Sequence, residues 1–134
     1  MSKILTVVVA ALGLLLAAPA SAHHSFAAEF DVTKPLKLQG TLEKWDMVNP
    51  HSWFHINVKE ADGKVAKWMI EGGSPNSLIR NGVTKQTIPI GTELVIEAYQ
   101  AKDGTNRAVG RNFLFTDGRR LFLGGSAPGA SGQQ

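Results

Sequence analysis

Apolar and polar residues alternate with a period of two along much of the chain, which is the pattern of half-buried β-strands. The first such stretch covers residues 36–43, with leucines and one glycine on one face and polar side chains on the other. Trp45 falls on the opposite parity from Leu42, which predicts a shift of register after Leu42. The same alternation predicts further strands over 52–58, 65–71, 93–99 and 108–115, and a final short pairing over 121–123.

Turn and capping residues separate these stretches. Residues 61–64 are Ala-Asp-Gly-Lys, a tight-turn signal that predicts a hairpin between the second and third strands. Ser74 suits a helix N-cap, Pro75 the first helical position and Gly82 the C-terminal stop, so we expect a helix of about two turns. Three strands, one short helix and two strands together predict an all-β fold, a five-stranded OB-fold-like barrel. A small antiparallel sandwich is the competing architecture.

The first 22 residues have the features of a secretory signal peptide. A basic start at Lys3 precedes an apolar run over 4–18, and the segment ends in small residues at Ala20-Ser21-Ala22. A membrane span needs about 20 apolar residues, and this run is shorter. We therefore expect cleavage after Ala22, which gives a periplasmic protein without a stable membrane anchor. The alternative is a retained N-terminal anchor. The mature chain is predicted to comprise an arm over 23–35, the barrel domain over 36–123 and a flexible tail over 124–134.

Composition limits the classes of partner. The 134-residue chain has 14 Lys and Arg against 11 Asp and Glu, and cleavage would remove Lys3 and no acidic residue. The mature protein is therefore nearly neutral, and it has no clustered basic face of the kind that binds nucleic acid. The chain has no cysteine, so a packed core and not disulfides must stabilise it.

Histidines at the predicted new N-terminus suggest a metal site. Cleavage after Ala22 would give His23 a free α-amine beside its imidazole, and copper(II) favours such nitrogen-rich sites. His24 offers a further ligand, and His51 or His55 is the natural third ligand of a site built on His23. The other interpretation is a solvated terminus and strand histidines that only hydrogen-bond a neighbour.

The spacing of the two later histidines favours one of them. Residues 51 and 55 of a regular strand share a face but stand about 13 Å apart, so one metal ion cannot bind both without a bend. Asn49-Pro50 predicts a bend just before His51, because proline interrupts strand pairing. We therefore prefer His51 to His55 as a ligand of the predicted copper site.

Tryptophans suggest a second kind of site. Trp53 lies on the strand face opposite Phe54, so it is a candidate for an exposed face, together with Asn57. Trp45 is the other aromatic candidate for this ligand-binding face, which would suit an extended peptide, a glycan or an envelope protein. Packing in the core is the alternative for each tryptophan, and Trp68 is predicted to point inward.

Catalytic motifs are absent from the sequence. The chain has no G-x-S-x-G nucleophile motif, no phosphate-binding glycine loop and no carboxylate pair at an acid–base spacing. We therefore do not expect an enzyme. Copper is the cofactor that the histidines suggest, and Glu29 and Asp31 could instead bind a harder cation.

Several short motifs occur together in an order that resembles a known family. They are His23-His24-Ser25-Phe26 after the signal peptide, Glu29-Phe30-Asp31, Asn49-Pro50-His51 with Trp53, and Gly73-Ser74-Pro75. The chain resembles small exported proteins of unknown function, found mainly in proteobacteria. The resemblance implies an exported single-domain β-barrel and carries no activity or ligand. Two functions remain: a periplasmic binding protein for copper or another transition metal, or a metal-independent recognition module of the envelope.

Overall fold

The computed structural model describes residues 26–132, which form a mostly antiparallel β-sheet with one short helix. A helical turn at residues 26–29 precedes the first strand. The predicted signal peptide, His23 and His24 lie outside the described residues. Within residues 26–132, no helix is long and apolar enough to cross a membrane. The elements in chain order are β1 (Phe30–Asp46), β2 (Trp53–Lys59), β3 (Val65–Glu71), α1 (Pro75–Arg80), β4 (Glu93–Ala101), β5 (Arg107–Leu114) and β6 (Arg120–Phe122).

All the strands belong to one sheet in the order β3-β2-β1-β4-β5-β6. Each of these neighbouring pairs is antiparallel. In addition, β3 and β5 pair in parallel over residues 69–71 and 107–109. The prediction of an all-β chain with a short helix is confirmed. The strand number differs from the predicted five, because residues 120–122 form a strand of their own against β5.

The larger of two apolar clusters forms the main core of the sheet, and a bulge in β1 shapes it. The register between β1 and β2 shifts between Leu42 and Lys44, as the sequence predicts. Leu42 and Trp45 therefore both face the core despite their opposite parity. Phe54 lies at the centre, with its ring centroid 4.8 Å from that of Trp45 and 4.9 Å from that of Phe113.

Helix α1 follows β3 where the sequence predicts a helix. The Ser74 side chain caps it by accepting a hydrogen bond from the backbone N–H of Ser77 at 3.3 Å. Pro75 is its first residue, and Leu78 is its buried side chain. After the helix the backbone turns at Gly82, which has a φ of 76°, a conformation that glycine adopts without strain. These local signals were sufficient to predict the helix.

At both ends of the described chain, the extent of ordered structure differs from the predicted arm and tail. Strand β1 begins at Phe30, within the predicted arm over 23–35, because Phe30 is buried in a second apolar cluster. Ala127 and Ala130 of the predicted flexible tail over 124–134 are buried in the same cluster. The backbone N–H of Gly124 donates to the carbonyl of Ala130 at 2.8 Å, which closes this segment on itself. The small alanine side chains of this segment pack closely, although the composition of the segment predicts a flexible tail.

Candidate functional site

His51 and Glu71 meet at one rim of the sheet. The chain bends at residues 49–50, and His51 follows immediately before β2. Glu71 is the last residue of β3 and pairs in register with Trp53. Backbone hydrogen bonds of Ser52 to the turn after β3 hold the two segments together, and Nδ1 of His51 lies 2.7 Å from Oε1 of Glu71.

The carboxylate of Glu71 is buried, whereas His51 reaches solvent. The side chain of Glu71 is 6% exposed and that of His51 is 36% exposed. Burial raises the pKa of Glu71, because the ionised carboxylate loses hydration. The nearby His51 and Arg107 lower the pKa of Glu71 and so oppose this rise, whereas the negative charge of Glu29 adds to it. His51 therefore has a carboxylate behind Nδ1 and an accessible ring.

Arg107 links Trp53, the register partner of Glu71, to the beginning of the described chain. Its Nη2 donates to Oε2 of Glu29 at 2.9 Å. The guanidinium carbon lies 5.7 Å from the ring centroid of Trp53 and 6.0 Å from that of Phe30, which is within the range of cation–π attraction. Arg107 therefore joins the helical turn at residues 26–29 to β2.

His55 has a different carboxylate partner. Its Nε2 lies 2.7 Å from Oδ2 of Asp46, and Nζ of Lys44 lies 2.9 Å from the other oxygen of Asp46. The hydrogen bond from Lys44, and then that from His55, lowers the pKa of Asp46. The structure therefore places His51 and His55 with separate partners. Within residues 26–132, no three histidine or carboxylate side chains converge as a metal-binding group.

The predicted aromatic face is present in part. Trp45 is 7% exposed and packs on Phe54, so the prediction that it contributes to an exposed ligand-binding face is wrong. The bulge in β1 turns its side chain inward. Trp53 and Asn57 are half-buried on the outer face of β2 with His55 between them. Asn57 also borders a surface cleft of about 260 Å³, and its buried Oδ1 has no hydrogen-bond partner in the described part of the chain.

Sequence reasoning noted Glu71 only as a carboxylate at a strand end, without a role, and did not identify Arg107. Glu71 has the parity of the exposed residues Lys67 and Met69 in β3, so alternation predicts that it faces solvent. It is buried because the chain around Ser52 covers the end of β3. Arg107 contacts Glu29 across a separation of 78 residues. No local pattern carries information about such a contact.

A comparison with known families identifies the chain at the family level. A family model described as a family of unknown function (DUF6152) matches residues 12–111, which is most of the chain. No curated protein and no solved structure matches it. The predicted resemblance to an uncharacterised family is confirmed to this extent. The chain thus belongs to the family of unknown function DUF6152.

Proposed function

We propose that this chain is an exported periplasmic protein that binds copper(II), or a similar transition metal, through His23 and His51. The ligands would be the α-amine and imidazole of His23, after cleavage behind Ala22, and Nε2 of His51. The observation that carries the proposal is the contact of 2.7 Å between His51 and the buried Glu71. His24 and His55 are the substitute ligands.

The His51–Glu71 contact is the kind that supports a metal-binding histidine. Histidine ligands usually direct their second ring nitrogen at a carboxylate, which fixes the ring and increases its basicity. Glu71 occupies Nδ1 of His51 and leaves Nε2 for a metal. His55 is the weaker candidate, since Asp46 occupies its Nε2 and its side chain is less exposed, at 26% against 36%.

The position of residues 26–29 supports the same site. His23 precedes Phe26 by three residues, and three residues of extended chain span at most about 11 Å. Residues 26–29 are tied to the rim through the ion pair of Glu29 with Arg107. The proposed ligands are nitrogen donors, which suit copper(II) better than softer ions.

We place this site on an OB-fold-like barrel of five strands. The pairings β1–β2, β2–β3, β3–β5, β5–β4 and β4–β1 form a closed cycle, and α1 lies between β3 and β4. OB-folds commonly bind ligands on their outer face and at the loops of one rim. His51 and Trp53 lie at such a rim and face.

A titration of the periplasmic protein tests the metal site. The protein is purified with its natural N-terminus, its mass is measured, and copper(II) is titrated against it and against a form that retains Ala22. We expect one-to-one binding by the native form and much weaker binding by the extended form. His51→Ala should weaken binding, and a loss of affinity in His55→Ala instead would assign the third ligand to His55. Equal affinity of the native and extended forms would refute a site that uses the α-amine.

A second candidate function is metal-independent recognition on the outer face of β2. The half-buried Trp53 and Asn57 with its unpartnered Oδ1 favour it, because both could contact an extended peptide, a glycan or an envelope protein. A glycan and peptide array tests this candidate with wild type, Trp53→Ala and the control Val65→Ala, which alters an exposed side chain of β3. Binding that survives Trp53→Ala unchanged would argue against it.

A further inference from the structure

A surface cavity of about 330 Å³ lies across β1, β4 and β5. Its volume is at the lower end of the range of small-molecule sites in proteins. Neither His51 nor Trp53 lines it, so it is separate from the proposed metal site and from the outer face of β2. The charged residues that line it are Lys37, Glu97 and Arg111.

A bulge places Arg111 at this cavity. In the pairing of β4 with β5, Glu97 lies opposite Asn112. The next residue of β4, Ala98, lies opposite Gly110, so the register passes over Arg111. Bulges are common beside functional sites, where they direct a side chain away from the regular alternation of the strand. The position of Arg111 at the cavity is therefore a consequence of the bulge.

The guanidinium of Arg111 is partly buried and has no anion beside it. The backbone of Gly129 covers it, since a Cβ at that position would lie 2.7 Å from Nε of Arg111. This Nε is buried without a hydrogen-bond partner in the part of the chain that the structure describes. The ion pairs formed by residues 26–132 do not include Arg111, and Glu97 instead accepts a hydrogen bond from Asn112 at 2.9 Å. A partly buried cation without a partner is unfavourable, so the arrangement indicates a site for an anion from solution.

The rest of the lining gives the cavity a second cation and an apolar side. Lys37 is exposed and lies opposite Glu97 in the register of β1 with β4. The two cations and the carboxylate of Glu97 together leave one positive charge, which favours a ligand with a single negative charge. Phe26 meets the ring of Tyr99 edge-on, with 5.8 Å between centroids, and so supports one wall. The apolar and aromatic lining residues are Pro35, Leu36, Ala98 and Tyr99.

We propose that this cavity binds a small organic monocarboxylate. The carboxylate would accept hydrogen bonds from Arg111 and Lys37, and the apolar body would lie against Pro35 and Tyr99. The planar guanidinium presents its donors in a fork that matches the two oxygens of a carboxylate. This site goes beyond the proposed metal binding and needs no metal ion.

An NMR titration of the 15N-labelled protein tests the site in the absence of copper. Benzoate is the probe, because it joins one carboxylate to a small apolar ring. Benzamide has the same shape without the charge, and inorganic phosphate has the charge without the apolar body. We expect benzoate at millimolar concentrations to shift the amide signals of residues 35–37, 97–99 and 111, and the other two probes to bind much more weakly.

Substitutions show whether Arg111 holds the carboxylate. Arg111→Gln should weaken benzoate binding by about 10-fold or more, since it removes hydrogen bonds to a charged group. Arg111→Lys keeps the charge without the fork and should lose less affinity. Arg119→Gln is the matched control, because Arg119 pairs with Asp117 at 2.7 Å and does not line the cavity; its affinity should equal that of wild type.

The stability of the ligand-free protein gives a readout that does not depend on the probe. Arg111 has no ion pair to lose, so Arg111→Gln should not lower the midpoint of urea unfolding. A clearly lower midpoint would assign Arg111 a structural role and overturn the proposal. If Arg111→Gln fails to fold, the exposed Lys37→Gln should still weaken benzoate binding several-fold.

The probes contradict the proposal in distinguishable ways. No shift of these signals by benzoate at millimolar concentrations, or unchanged binding in Arg111→Gln, would overturn the site. Equal binding of benzamide would overturn recognition of the carboxylate. Equal binding of inorganic phosphate would overturn the role of the apolar wall. The metal site is tested separately, since none of these titrations contains copper.

Discussion

Replacing Glu71 by glutamine separates the proposed role of this residue in metal binding from its role in stability. The substitution keeps the shape of a side chain that is 6% exposed and removes its charge beside His51. The attraction between this carboxylate and His51 stabilises the wild type by at most about 3 kcal/mol, whereas burying a poorly solvated carboxylate costs about 1–3 kcal/mol. The two effects oppose each other, so the free energy of unfolding should change by no more than about 2 kcal/mol at neutral pH.

The affinity for copper(II) should respond much more strongly. Loss of a residue that orients a histidine ligand typically weakens metal binding by about 10–100-fold, which corresponds to about 1.4–2.7 kcal/mol. Glu71→Gln should therefore weaken copper binding by that factor in a protein of nearly wild-type stability. Glu97→Gln is a control, since Glu97 is a partly buried carboxylate that accepts a hydrogen bond from Asn112 at 2.9 Å, away from His51.

The pH dependence of stability gives a second measure of the same substitution. Burial raises the pKa of Glu71 above its ordinary value of 4.5, so the folded state favours the protonated form. The resulting stability is present below pH 4.5 and is lost as the pH rises through the folded-state pKa. In urea unfolding between pH 4 and 7, the unfolding free energy of Glu71→Gln should therefore increase relative to that of wild type as the pH rises. Wild-type copper affinity in Glu71→Gln, or an unfolding free energy lowered by several kcal/mol, would refute this reasoning.

Three further substitutions test the packing and the surface charges. Phe54→Ala removes a fully buried ring from the centre of the core and should lower the unfolding free energy by about 3–5 kcal/mol in urea; a loss below 1 kcal/mol would contradict the packing. Ser74→Ala removes the cap of α1 and should cost about 1 kcal/mol by the same assay, while Ser74→Asn should restore most of it. The hydrogen bonds from Lys44 and then His55 lower the pKa of Asp46 below 3.8, so the stability from this carboxylate is present above pH 3.8 and is lost as the pH falls through the folded-state pKa. Wild type should therefore lose more stability than Asp46→Asn as the pH falls. An equal decrease of the unfolding free energy with pH in both proteins would contradict this.

Local sequence signals predicted the strands and the helix well, because these elements depend on near neighbours. The period-two alternation placed β2 and β3 to within one residue, and the Ser74-Pro75 signal placed the start of α1. The register shift after Leu42 was also predictable, since the parity of apolar residues changes there. The start of β1 at Phe30 was not, because its burial depends on Ala127 and Ala130 from the other end of the chain.

The candidate site likewise combines residues that the sequence predicts with contacts that only the tertiary structure shows. The sequence singled out His51, because a histidine behind an Asn-Pro bend and a histidine at the predicted new N-terminus are both visible in the residue order. The carboxylate behind His51 was not visible, since the parity of Glu71 in β3 predicts an exposed side chain. The ion pair of Glu29 with Arg107 joins opposite parts of the chain. Alternation and turn chemistry act over a few residues, whereas burial and charge pairing depend on which distant segments the strand register brings together.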